Sequence, residues 1–490
     1  MIDLTLVQAI EKLRAREITA IELTRAYLDR IEKFGTELNC YITVTPERAL
    51  SDAAESDRRY ANGTARPLEG IPLGMKDLFA TKGIRTTAAS RMLENFIPEY
   101  ESTVSQKLAD AGCVLLGKTN LDEFAMGTKC ATSYFGASIN PYQREQCLTA
   151  GGSSGGTTSA VAGGLALIGT GTDTGGSIRF PAAVTGLVGM KPTYGLCSRF
   201  GCIAFASSLD SPGPIVRKVD DAALMLSAMA GYDTKESTSA PQADAIATVL
   251  REPLAELSLK GLKIGIIKEF KDVEISADMK KLFDAQIANI KSGGAEIMEI
   301  SIPNILDALA TYYVISPAEA SSNLARYDGM RYGLRIEGTG LEDTYKKTRA
   351  AGFGEEVQRR MVVGTAVLSS ESYEVYFMQA ARVRRMIDDA FNKAFENCDL
   401  IICPTSTITA FSLSDNLSVL EMYALDIFTV PFSLSGLPAC SVPAGFAANN
   451  LPLGMQVVGR RFDDIRVLQL AKHIETFAGL DNRPTKVMGE

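Results

Sequence analysis

The sequence predicts an α/β fold: one large mixed β-sheet covered by helices on both faces. Three observations predict it. Apolar runs of strand length, CVLL (113–116), KIGII (263–267), AEIMEI (295–300) and DLIICP (399–404), alternate with stretches of helical period. Their apolar positions are consecutive rather than alternating, as in strands covered on both faces. With 490 residues, 46% hydrophobic and 22% charged, the chain can bury a large core. VAGGLALIG (161–169), among the longest apolar runs, falls well short of the roughly 20 residues that span a bilayer, so no membrane association is expected.

Taken in order, the first 35 residues read as two helices. The second is opened by a capping box, Thr19 with Glu22, and aligns Leu23, Ala26, Tyr27, Ile31 and Phe34 on one face. STVSQKLADAG (102–112) reads as a helix closed by Gly112 and followed directly by the strand CVLL. TTSAVAGGLAL (157–167) is helix-like. PQADA (241–245) is the best candidate for an exposed loop. Residues 304–396 are helical nearly throughout and are expected to lie over one edge of the sheet. Strand candidates on both sides of that stretch imply one continuous core. The expected organisation is N-terminal helices over 1–55, the main domain over 56–480 with its helical segment at about 304–396, and a tail over 481–490.

A formal charge of -8 and a pI near 5.2 exclude a chain that holds nucleic acid by itself, which needs clustered Lys and Arg. RVRR (382–385) sits in a mixed-charge helix. The N-terminus carries acids among its apolar residues and lacks the basic flank of an export signal, so a cytoplasmic protein is expected. Nine cysteines from Cys40 to Cys440, odd in number and without a C-x-x-C pair, read as free thiols of a reducing compartment.

Two motif matches fail on context. GCVLLGKT (112–119) fits the phosphate-loop pattern, but a helix precedes Gly112 and residues 113–116 are themselves the strand. GGSSGG (151–156) fits G-x-S-x-G at Ser153 and Ser154, which would require the only histidine, His473, on a loop beyond a strand. His473 instead falls in VLQLAKHIETFA, about 90° from the centre of its apolar face, as a solvated helix flank.

A serine nucleophile still needs a base. Lys76, at the end of the apolar segment in GIPLGMKDLF, is a candidate if it is neutral. At an unperturbed pKa of about 10.4 only roughly 1 lysine in 2,500 is neutral at pH 7, and burial worth about 4 kcal/mol would bring it into range. Downstream, TGTDTGGSIRFPA (170–182) holds a second glycine-rich serine, Ser177, 24 residues after Ser153. Consecutive small residues Thr174, Gly175 and Gly176 let backbone N–H groups converge on one concavity, as an oxyanion hole requires. Read on their own, the two stretches also suit paired glycine turns or a phosphate site.

GGSSGG, the DTGGSIR-x-P run and the upstream Lys-Asp pair together resemble the amidase-signature family, over about residues 65–215 and 395–475. The resemblance implies a single domain of that fold with a Ser-Ser-Lys triad: Ser177 as nucleophile, Ser153 as bridging serine after an unusual cis peptide, Lys76 as ultimate base. It also implies an oxyanion hole from the N–H groups of Thr174, Gly175, Gly176 and Ser177, with Asp173 and Arg179 bracing the loop and Ser154 in support. Within the family, residues 311–333, 352–360 and 423–443 resemble the branch that serves as glutaminase subunit of tRNA-dependent amidotransferases. This implies glutamine as substrate, held by Tyr312, Arg360 and Asp426, with Tyr313 and Arg359 as competing assignments. It implies a hetero-oligomer with a tRNA-binding, ATP-using B subunit plus a small C subunit, tRNA being contacted mainly through the partner. No metal or cofactor is expected in this chain, ATP and Mg being expected at a partner. The alternatives are a stand-alone amidase for another small amide, or a non-catalytic scaffold subunit. Two departures from the family stand out: Ala131 and Thr132 in TKCATS (128–133) replace an acid and an amide, and residue 78, often asparagine, is leucine.

Overall fold

The computed structural model describes residues 1–142, 146–481 and 485–487. Most of the tail expected over 481–490 therefore lies outside the described residues. The strands are β1 (Tyr41–Val44), β2 (Pro72–Lys76), β3 (Val114–Thr119), β4 (Ile168–Asp173), β5 (Val188–Lys191), β6 (Ser211–Val216), β7 (Lys263–Ile267), β8 (Glu296–Ile300), β9 (Leu400–Pro404), β10 (Ala439–Phe446) and β11 (Pro452–Gly459). They form one sheet in the order β1-β3-β2-β4-β6-β5-β10-β11-β9-β7-β8. It is mixed: β2 runs parallel to β3 and β4, and β7 to β8 and β9, while β10 pairs antiparallel with β5 and β11.

Why the run LIIC reads as continuous apolar sequence is plain from its packing. Leu400 and Ile402 join one core cluster and Ile401 and Cys403 the other, on opposite faces of β9. The first cluster takes in the N-terminal helices Leu6–Arg14 and Ala20–Leu38, with the capping box at Thr19 and Glu22 formed as the sequence predicts. The second is covered by the helices Ala308–Asn323, Glu355–Val367 and Met378–Ala394.

Three expectations are corrected. The 304–396 helices cover a face of the β7–β11 half, not an edge, because Ile267, Ile300, Ile401, Ala439 and Val458 all point their apolar side chains at them. AEIMEI is buried only at Ala295 and Ile300: β8 is the sheet's edge strand, and Glu296 and Glu299 are exposed. PQADA is an exposed turn only at Pro241 and Gln242; Ala243 is fully buried and starts the helix Ala243–Val249. Among the described residues, no helix is long and apolar enough to cross a membrane.

Candidate active site

β2 ends inside the molecule, and its last residue, Lys76, is fully buried. Its backbone N–H donates to Thr170 Oγ1 (3.0 Å), and its Nζ lies 2.9 Å from Ser153 Oγ, 2.9 Å from Ser154 Oγ and 2.8 Å from Thr172 Oγ1. No carboxylate among the described residues touches it. Burial pulls its pKa down to about 8, against the weaker opposing influence of Cys202, Cys130, Asp122 and Asp210. Thr170 and Thr172 alternate along β4 and so present both hydroxyls on the face that meets Lys76. Thr172 is a contact that the sequence reading missed; the T-x-T-x-T spacing of residues 170–174 was its available signal.

The two glycine-rich loops do meet. Ser153 follows a cis Gly152–Ser153 peptide, and the N–H of Ser154 donates to Ser177 O at 3.3 Å. Ser154 Oγ also donates to Thr172 O (3.4 Å), so its proton is committed. Ser153 Oγ accepts from Lys76 and has no acceptor for its own proton among the described residues. Ser177 is 9% exposed, and its hydroxyl is neither hydrogen-bonded to a described residue nor sealed from solvent. Of the two adjacent serines, Ser153 is thus the one free to exchange a proton with the lysine.

The loop after β4 leaves four consecutive donors unused: the N–H groups of Thr174, Gly175, Gly176 and Ser177 have no acceptor among the described residues. Glycine is required there. A Cβ on Gly175 would lie 2.7 Å from the Tyr312 ring, and one on Gly176, at φ +148°, 2.4 Å from Thr429 Oγ1. The loop is braced underneath by Asp173, buried and paired with Arg179 through Nε (3.0 Å) and Nη2 (2.9 Å), while Arg179 also reaches Thr429 O, Gln456 Oε1 and Ser433 Oγ. Thr174 Oγ1 donates to Asp210 (2.6 Å), a carboxylate that burial pushes up to about 6.

Tyr312, Arg360 and Asp426 are all buried, though the helices Ala308–Asn323 and Glu355–Val367 and the stretch 418–429 come from distant parts of the chain. Asp426 accepts from Tyr313 Oη (2.9 Å), and burial pushes its pKa up to about 7, against that hydrogen bond and the Arg360 charge. Both tyrosines are therefore in play: Tyr312 lies against Gly175 and Tyr313 holds Asp426. Of the paired arginines, Arg359 is half-buried and tied to Glu355 and Glu356, while Arg360 is 4% exposed. Arg360 donates through Nε to Glu356 (2.8 Å), and its two terminal nitrogens have no acceptor among the described residues.

Asp122, absent from the sequence reading, fastens the departing segment to Ser153. Its carboxylate accepts the N–H groups of Cys130, Ala131 and Thr132 and the Thr132 hydroxyl, and its own N–H donates to Ser153 O (3.2 Å). Leu78, the other departure, is buried in the apolar core two residues after Lys76.

The rejected motifs are rejected by structure too. Gly112 turns at φ +102° between the helix Thr103–Asp110 and β3, and Lys118 is buried against Asp77 at 3.1 Å. His473 is half-buried rather than fully solvated: Asn289 of a neighbouring helix sits 3.1 Å from its Nε2. Among the described residues no group of His, Cys, Asp or Glu could hold a metal ion.

Known proteins resemble this chain over its whole length. It is 52% identical over 490 residues to the A subunit of a glutamyl-tRNA(Gln) amidotransferase from Caulobacter vibrioides, covering 99% of each, and 51% identical over 486 residues to the corresponding chain from Rhizobium etli, covering 97% of each. The crystal structure of the A subunit of glutamyl-tRNA(Gln) amidotransferase from Thermotoga maritima matches 99% of this chain and 98% of that one, with a TM-score of 0.79 at 36% identity. A native peptide amidase from Stenotrophomonas maltophilia superposes with a TM-score of 0.83 at 28% identity, over 99% of this chain and 98% of its own. The model of the amidase family matches residues 22–468, from the capped second helix to the last one; the chain belongs to the amidase family.

Proposed function

We propose that the chain is the glutamine-hydrolysing subunit of a tRNA-dependent amidotransferase. The observation that carries the chemistry is the fully buried Lys76 amine 2.9 Å from Ser153 Oγ, in a chain whose one histidine lies elsewhere. Ser177 Oγ attacks the side-chain amide carbon of glutamine while its proton passes to Ser153 and on to neutral Lys76. The unused N–H groups at 174–177 receive the developing oxyanion. The amide nitrogen takes the proton back and leaves as ammonia; water then releases glutamate from the Ser177 ester.

The substrate reading rests on Arg360 and Asp426. Arg360 offers two terminal nitrogens without an acceptor among the described residues, in the fork that suits an α-carboxylate, and Asp426, once ionised, suits an α-ammonium. Full-length identity near 50% to the A subunits of glutamyl-tRNA(Gln) amidotransferases supports the same assignment. On this reading ammonia passes to a B subunit that binds tRNA and uses ATP with Mg, a small C subunit completes the assembly, and Glu-tRNA(Gln) or Asp-tRNA(Asn) is amidated there. The net charge of -8 fits that division of labour. A cytoplasmic setting goes with it.

The test is Ser177→Ala in the assembled complex. Glutamine-dependent amidation is abolished while free ammonia still supports it. Loss of both activities refutes the division of labour; robust hydrolysis of simple aliphatic amides by the wild-type chain without partners favours a stand-alone amidase instead.

A further inference from the structure

The geometry points to Glu356, together with the stacked pair Tyr313 and Tyr423, as the unit that positions Arg360 to read the carboxylate end of the substrate. This rests on the reading that Arg360 binds that carboxylate, and it gives Glu356 and Tyr423 a role and Tyr313 a second one beside its bond to Asp426.

A guanidinium has five N–H donors in a rigid plane, and its orientation follows from which edge is occupied. In this chain Glu356 Oε1 accepts from the Nε edge of Arg360 at 2.8 Å, one helical turn earlier on Glu355–Val367. That leaves the opposite, two-pronged edge for a ligand. Three aromatic rings also lie close to the guanidinium. The Arg360 carbon lies 5.4 Å from the Phe205 ring centre, 5.6 Å from Tyr313 and 5.8 Å from Tyr423, within the range of cation–π attraction. Tyr313 and Tyr423 are themselves stacked, with centroids 3.6 Å apart and planes 14° from parallel. Tyr423 Oη reaches back to Glu356 Oε1 at 3.4 Å, and Tyr313 Oη to Asp426 at 2.9 Å.

These contacts link three separate stretches, the helices Ala308–Asn323, Glu355–Val367 and Val419–Ala424, through one guanidinium. Glu356 neutralises the buried arginine without occupying the prongs, so the cation is held in place and still available. Arg359 ties the other oxygen of Glu356 from the helix surface, which keeps that carboxylate from swinging across the fork.

The experiment measures glutamine hydrolysis kinetics in the assembled complex for Glu356→Gln, Arg360→Ala and the double variant. Glu356→Gln keeps the shape but loses the charge that holds Nε. It is expected to raise KM for glutamine about tenfold with kcat within about twofold, since only ground-state and transition-state binding shared by both is lost. In the Arg360→Ala background the same change adds nothing, the signature of a residue acting through Arg360. Tyr423→Leu raises KM in the same way, and Tyr423→Phe, which keeps the ring, restores it to within about threefold of wild type. If Arg360→Ala leaves KM unaltered, the carboxylate reading of Arg360 fails. If Arg360→Ala raises KM but Glu356→Gln does not, or adds its effect equally in both backgrounds, the positioning role is overturned while the carboxylate reading stands.

Discussion

Removing the Lys76 amine tests the chemistry most directly. Its pKa of about 8 makes it neutral in about 1 molecule of 11 at pH 7, against roughly 1 in 2,500 for an unperturbed lysine. The gain is about 200-fold in the fraction able to accept a proton, equivalent to about 3 kcal/mol, and it comes from burying the amine among three hydroxyls with no carboxylate of the described residues in contact with it. Two results follow. Because burial lowers the pKa, the active neutral form accumulates as pH rises. The single-turnover rate of Ser177 acylation by saturating glutamine should therefore climb about fiftyfold between pH 6 and pH 8 and level off above about pH 9. Lys76→Ala should lower that rate by about 10³-fold or more. An acylation rate that is flat from pH 6 to pH 9, or a Lys76→Ala variant within tenfold of wild type, would refute the lysine as base.

The two neighbouring serines should separate, because only Ser153 has an uncommitted proton: Ser153→Ala should cost about 10²-fold or more in kcat and Ser154→Ala about tenfold, and equal losses would contradict the relay. Asp426→Asn should raise KM for glutamine roughly thirtyfold, the loss of a charge-assisted bond of about 2 kcal/mol, while leaving glutaramic acid, which lacks the α-amine, within about twofold. Since burial raises the Asp426 pKa to about 7, its carboxyl is protonated below that pH, and the wild-type KM for glutamine should rise as pH falls through 7 whereas the variant's should not.

The contrast between the legible and the illegible parts of this site has a physical basis. Caps and strands are local. Thr19 with Glu22 and the two-faced run at β9 depend on residues within one turn or one strand, so the linear order carries them. Lys76, Ser153 and Ser177 were singled out by a different route, the resemblance of their motifs to the amidase-signature family, because the two glycine stretches on their own also suit paired turns or a phosphate site. Helix phase was already harder. Val357, Met361 and Gly364 are buried and would turn Arg360 inward, but Val362 and Val363 are equally apolar and exposed, so the choice between Arg359 and Arg360 has no local answer.

What the linear order alone determined is the sheet-and-helix alternation, the capped N-terminal helices and the glycine loops, whose causes lie in neighbouring residues. What only the tertiary structure decided are Asp122, Thr172, Glu356 and Tyr423, and the fact that the 304–396 helices cover a face. Tyr423 meets Tyr313 across 110 positions of chain, and an attraction of that kind leaves no periodic trace in sequence because folding of the whole sheet, not the segment itself, brings the partners together.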